Sequence, residues 1–163
     1  MTHHKPLSIM NTFFCVLSFL LLPIHSYAFE TVTQVDKLSF GSIAVLDNTT
    51  TSEITVDTQG RMTYSNDIRI LDLGKPAYFV LFDYPIYTQL FTAASVLSAE
   101  TVSSIYGSQQ FTLINVTTAS SVTTNGTGMA EVIIGGTLQT SGSGGGKYYD
   151  GNYTATLQLT ISY

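Results

Sequence analysis

From Tyr153 to Tyr163 the chain reads YTATLQLTISY, with Tyr153, Ala155, Leu157, Leu159, Ile161 and Tyr163 on one face and only Thr, Gln and Ser between them. Strict period-two alternation of this kind predicts a β-strand with one buried face. At about 3.3 Å per residue it is one strand of about 36 Å, enough to cross a whole β-layer. The chain is therefore expected to finish inside a sheet, with its last side chains in ordered structure.

The rest of the sequence agrees with a sheet protein. Thr, Ser, Val, Ile, Tyr and Phe dominate, Gly is frequent, and no sustained i, i+3, i+4 apolar pattern follows the first 28 residues. Strands are expected near Lys37–Leu46, Ser52–Asp57, Arg61–Leu71, Ala77–Phe82, Ile86–Phe91, Val102–Tyr106, Gln110–Thr117, Met129–Gln139 and Tyr148–Tyr163. Turn residues separate them at Asp47-Asn48, Gln59-Gly60, Gly74-Lys75-Pro76, Asp83-Tyr84-Pro85, Gly107, Asn125-Gly126 and Gly142 to Gly146. That spacing is typical of an antiparallel sandwich. The stretch Ser141 to Gly146 reads as a mobile hairpin loop.

The amino terminus sets the compartment and the available chemistry. Lys5 precedes an apolar run, Phe13 to Ile24, and then Ser26-Tyr27-Ala28, the pattern of a secretory signal peptide cleaved after Ala28. The run ends at Pro23-Ile24 and is short for a membrane span. His3, His4, His25 and Cys15 all lie in this segment, so the 135 residues left after cleavage (163 less 28) contain no His and no Cys. Disulfides, Cys or His zinc sites, Ser-His-Asp triads and Cys-His dyads are excluded. Five bases face eleven acids in this region, a net charge of −6, which makes nucleic acid a poor partner. One domain is expected over residues 29–163, with no transmembrane segment after cleavage.

Several local features invite sharper readings. The Gly146-Lys147 pair superficially resembles the end of a phosphate-binding loop, but Ser141 and Tyr148 stand where glycine and a hydroxyl residue would be needed. The aromatic-rich run Ala77 to Phe91 reads as two central strands buried on both faces. At its turn, Tyr84 and Tyr87 are the rings expected to be exposed, and they are the candidate ligand aromatics for a surface glycan. Asp47, Glu53, Asp57, Asp67, Asp72 and Asp83 could supply a glycosidase pair, yet nothing pairs them, and Asp at strand ends ordinarily bonds local backbone. Asn48, Asn115, Asn125 and Asn152 begin N-x-Ser/Thr sequons, which carry meaning only in a glycosylating host. No cofactor or metal is expected.

Five elements then carry a resemblance. Leu38-Ser39-Phe40-Gly41-Ser42-Ile43 resembles the LxFGxI opening of a family of secreted bacterial domains, the domain-of-unknown-function family numbered four thousand four hundred and two. Ile54-Thr55-Val56-Asp57 with Gly60, Pro76-Ala77-Tyr78-Phe79-Val80, Gly135-Gly136-Thr137-Leu138 and Gly151-Asn152-Tyr153-Thr154-Ala155-Thr156 resemble its later elements in order. The family is similar in turn to chaperone-usher pilins and spore-coat-protein-U-like domains. This implies an immunoglobulin-like β-sandwich exported to the bacterial periplasm or surface, with a chaperone, an usher and other pilin-like subunits as partners. Gly151, Tyr153, Leu157, Leu159, Ile161 and Tyr163 would then form the assembly strand that a chaperone grips.

The segment before Leu38 bears on polymerisation. Phe29 to Lys37 offers only Phe29 with Val35 in one phase, or Val32 in the other, where a donor strand needs about five apolar side chains. A plain first strand with a frayed start is at least as good a reading, and the donor role stays open. The expected function is a non-catalytic structural or adhesive subunit at the cell surface. The alternatives are a small outer-membrane barrel, which would also end in an aromatic strand, and a self-contained carbohydrate-binding domain. Against the barrel, Ala77–Phe82 is apolar on both faces.

Overall fold

The computed structural model describes residues 29–103, 110–144 and 148–163; the segment expected to be a signal peptide, residues 1–28, and Gly107 and Gly146-Lys147 lie outside them. Eleven strands occur among the described residues: β1 (Thr31–Asp36), β2 (Ser42–Val45), β3 (Glu53–Val56), β4 (Met62–Tyr64), β5 (Ile68–Asp72), β6 (Ala77–Phe82), β7 (Gln89–Ser103), β8 (Thr112–Thr118), β9 (Ser121–Thr123), β10 (Ala130–Gln139) and β11 (Tyr153–Ser162). There is no helix among them. The all-β expectation holds, and every strand pairing is antiparallel.

β10 is the hub. Its Ala130–Ile134 half pairs with β6 and its Gly136–Gln139 half with β3, while β8 runs along the opposite edge. The strand order β1-β6-β10-β8-β7-β11 passes from this layer into a second one through β7, which pairs with β8 only at Glu100↔Thr112. β7 bends to make that passage. Val96 to Val102 of β7 runs beside the shorter stretch Leu157 to Thr154 of β11, so β7 carries the extra residues in its bulges. Strands that change layer do so at such bulges. A separate β2–β5 ribbon closes one end.

Between the layers lie two apolar clusters. Phe79 and Leu81 of β6, Val132 and Ile134 of β10, Tyr84 and Leu90 form the first, and Leu157, Leu159 and Ile161 of β11 pack on it from across the sandwich. Ile54, Ile68, Phe111, Leu113 and Leu138 form the second. There Phe111 stacks on Tyr148 at 4.2 Å and meets Tyr153 edge-on at 4.9 Å. The Tyr148 hydroxyl donates to Gln110 O and accepts from Ser141 N, so a polar tip is satisfied beside an apolar ring.

Several expected boundaries move. The Phe29 to Lys37 segment forms β1, hydrogen-bonded along β6 as a first strand. Arg61–Leu71 is two strands, because Asn66 adopts φ 49° and its side chain bonds Thr51 O, turning the chain between β4 and β5. Ile86–Phe91 is not a separate strand, and neither is the described part of Val102–Tyr106, whose residues 104–106 lie outside the described residues. The first begins at Gln89, and the Ala- and Ser-rich stretch between them continues β7 through Ser103. β6 is buried on one face and half-buried on the other, where Tyr78, Val80 and Phe82 lie. In β11, Ala155 is exposed, because the β7 bulges interrupt the alternation at that point.

The Ser141 to Gly146 stretch is not a free loop over its described part. Buried Asn48 donates to the Ser141 hydroxyl, and Gly142 N and Gly144 N donate to the Asn48 side-chain and backbone oxygens. These bonds anchor Ser141 to Gly144 on the Asp47–Thr51 turn. Asn48 is therefore enclosed by its own fold, so a sugar could reach this sequon only before folding.

Turn carboxylates tie stability to acid. Burial raises the Asp57 carboxyl, but the Arg61 guanidinium and the backbone N–H groups of Arg61 and Gln59 outweigh it and hold it below its ordinary value. The Thr49 hydroxyl and backbone do the same for Asp47. A depressed carboxylate contributes stability above its unfolded pKa of about 3.9, lost as pH falls through the folded value. Asp57→Asn should lower the thermal midpoint at neutral pH and flatten its decline below about pH 4. A decline as steep as that of the native chain would show that Asp57 is not the titrating group.

Candidate functional site at the closing strand

β11 and β1 stand at the two ends of the main strand order, each with a free edge, while β4 and β9 branch off it as further edge strands. β11 pairs with β7 from Ser162↔Phe91 to Tyr153↔Ser103, and no described strand takes its second edge. Its inward side chains Leu157, Leu159 and Ile161 are half-buried. β1 is attached mainly through its backbone, since only Asp36 of its side chains is even partly buried. Lys75 pairs with Asp36 where β1 leaves the sheet.

The two edges meet at one pole. The Tyr163 hydroxyl donates to the Glu30 carboxylate, and the Tyr163 ring meets Tyr84 edge-on at 5.8 Å. That hydrogen bond, with Glu30's charge nearby, raises the Tyr163 hydroxyl above its ordinary value. Burial and then Glu30 raise Tyr84. Of the expected assembly residues, Leu157, Leu159 and Ile161 line one face of β11 and Tyr163 stands at its end. Tyr153 belongs to the second core, with its hydroxyl on Tyr149 O, and Gly151 lies in the exposed bend before the strand.

The candidate ligand aromatics separate. Tyr84 is 8 % exposed, a correction to the expectation, because the C-terminal Tyr163 covers it. Tyr87 is 74 % exposed. It sits at φ 51° and Asp83, in the same loop, at φ 64°. A left-handed backbone at a bulky aromatic costs roughly 1–3 kcal/mol. Buried Thr124 holds the loop there: its hydroxyl donates to Pro85 O at 2.6 Å and accepts from Thr88 N at 2.8 Å. The loop also rests on Gly126, where a Cβ would lie 2.6 Å from the Tyr87 hydroxyl.

The carboxylates do not converge. Asp47 and Asp57 serve their own turns, and Glu53 accepts from Gln139 at 2.8 Å. No group of three or more His, Cys, Asp or Glu is placed to hold a metal among the described residues. An open cleft of about 430 Å³ lies on the outer sheet face between the Asp57–Gln59 tip and Thr117–Ala119, floored by Glu131 and Ile133. A Tyr78 hydrogen bond occupies Glu131 and raises the Tyr78 hydroxyl. None of the expected ligand or assembly residues lines this cleft.

Sequence elements far apart in the chain pack against one another. A Cβ on Gly41 would lie 2.0 Å from Asp72 O, and one on Gly74 would lie 2.1 Å from Ser39 O, so the 38–42 and 72–76 segments cross at backbone contact. Ser39 and Lys75 exchange both backbone hydrogen bonds at that crossing. Leu38 packs against Gly136, and Gly135 lies against Val56 O. A family model described as Domain of unknown function (DUF4402) matches residues 31–163. The chain belongs to the DUF4402 family. No curated protein and no solved structure matches it. The DUF4402 match runs from the first residue of β1 through β11, so the free edges of both strands fall inside it. Gly41 of the LSFG element and Gly135 of the GGTL element stand where other backbone segments pass too close for a side chain, and Gly136 stands against the Leu38 side chain.

Sequence reasoning missed the Tyr163–Glu30 meeting and the Thr124 clamp. Both are contacts between distant segments, and no local pattern announces them.

Proposed function

We propose that this DUF4402 protein is a pilin-like structural or adhesive subunit, an immunoglobulin-like sandwich exported to the bacterial periplasm or surface and acting without catalysis or cofactor. The observation that carries the reading is β11, a ten-residue closing strand with one free edge and a half-buried apolar face. A free edge with alternating side-chain positions is what β-strand addition by a chaperone or neighbouring subunit requires. β1 refines the role. Because the N-terminal segment is already paired with β6, the subunit fits a terminal component or a self-contained surface domain better than a repeating link.

A membrane barrel would need the sheet to close. Here β1 and β11 end the strand order without pairing, which favours the surface domain. Alkaline carbonate extraction of the envelope tests the choice. The protein should be released to the supernatant as one band in unboiled electrophoresis. Retention in the pellet would reject the surface subunit, and a ladder of bands would reject the terminal role.

A further inference from the structure

The loop between β6 and β7 holds Tyr87 in a conformation that its packing does not explain. Residues in the left-handed region are ordinarily Gly, Asn or Asp, and Asn66 and Asp83 fit that rule. Tyr87 does not, and at 74 % exposure it gains little burial to offset its strain. Strain kept at an exposed side chain points to use rather than to folding. The fixing is thorough: Thr124, 2 % exposed, clamps Pro85 and Thr88 on either side, Tyr84 N donates to Gly128 O, and Gly126 leaves room for the ring's hydroxyl end.

We infer that Tyr87 is a preorganised stacking platform for a neutral sugar ring. This deepens the adhesive part of the reading above and rests on it. A flat aromatic with an open face suits the C–H face of a pyranose, while the exposed Asp83 and Thr127 side chains in the same two turns offer polar groups to the sugar hydroxyls. Neither Asp83–Thr88 nor the facing Thr124–Met129 turn contains Lys or Arg, so an acidic sugar would lack a counter-charge. A ring fixed before binding also avoids the ordering cost that a mobile side chain would carry.

The test is NMR titration of the full-length protein with lactose, mannotriose and sialyllactose, following the tyrosine ring resonances. At least one neutral sugar should shift Tyr87, Tyr87→Phe should keep the binding, and Tyr87→Ala should weaken it about tenfold. Gly126→Ala should weaken it as well by displacing the ring. Tyr87→Gly should raise the thermal midpoint while losing the sugar. No Tyr87 shift with either neutral sugar, binding that survives Tyr87→Ala, binding of sialyllactose alone, or a lowered midpoint in Tyr87→Gly would each overturn the inference. Carbonate release does not depend on Tyr87, so a failed titration with normal release rejects the sugar site and leaves the surface subunit standing.

Discussion

Deleting Leu157 to Tyr163 should abolish accumulation of the protein outside the cytoplasm. The truncation removes the inward side chains Leu157, Leu159 and Ile161, which cover the first core cluster, and leaves β7 without its β11 partner there. A fully buried aliphatic side chain contributes about 1.5–3 kcal/mol, so half-buried ones contribute roughly 1 kcal/mol each. The backbone bonds from Leu157↔Val96 to Ser162↔Phe91 go too, at a net of roughly 1 kcal/mol apiece. Together these losses rival the whole stability of a small domain, about 5–15 kcal/mol. Loss of Tyr163 also frees Tyr84 and Glu30 at the pole. Cell fractionation with immunoblotting reads the outcome, and normal export of the truncated chain would show that β11 is needed for neither stability nor capture.

A single methyl group at Gly41 should be nearly as damaging. Gly41 has φ 72°, and a Cβ there would stand 2.0 Å from Asp72 O and 2.7 Å from the Leu73 carbonyl carbon, both backbone atoms that no rotamer change can move. Gly41→Ala must therefore separate the crossing that the Ser39–Lys75 hydrogen bonds hold together. The cost is expected at roughly 3 kcal/mol or more, among the larger single-residue effects. Gly60 supplies the control. Its φ of 77° is similar, but a Cβ there meets only the Pro76 ring at 3.7 Å, so Gly60→Ala should cost about 1 kcal/mol. Urea denaturation of the two variants separates them, and equal midpoints would mean that the crossing can open without penalty.

Much of the fold was legible because its signals are local. The bounds of β6 follow from turn residues on either side and lie where expected, while β11 takes only the strictly alternating part, Tyr153–Ser162, of the expected Tyr148–Tyr163. β7 was harder to read. Its middle, Thr92 to Glu100, is rich in Ala and Ser, and it becomes a strand through β11 beside it rather than through its own propensity. β1 has few apolar residues, so the sequence left it between a first strand and a donor, and pairing with β6 settles it as a first strand. At the candidate site the same division holds. Tyr87 was expected to be exposed and is. Tyr84 was expected beside it, but a residue 79 positions further along the chain covers its ring. The LSFG glycine could be recognised as a motif, while its reason, the approach of Asp72, exists only in three dimensions.

The meeting of Tyr163 with Glu30 has a mechanical consequence. Because Glu30, just before β1, and Tyr163, just after β11, meet at one pole, tension applied between the segments at these two residues pulls sideways on β1 and β11. Each is an edge strand bonded on one side, so its hydrogen bonds would open one after another, as a zipper does, instead of sharing the load in shear. Such a domain yields at low force when pulled between these two points. Low resistance along that line suits the terminal or surface role proposed above better than that of a repeating link under load.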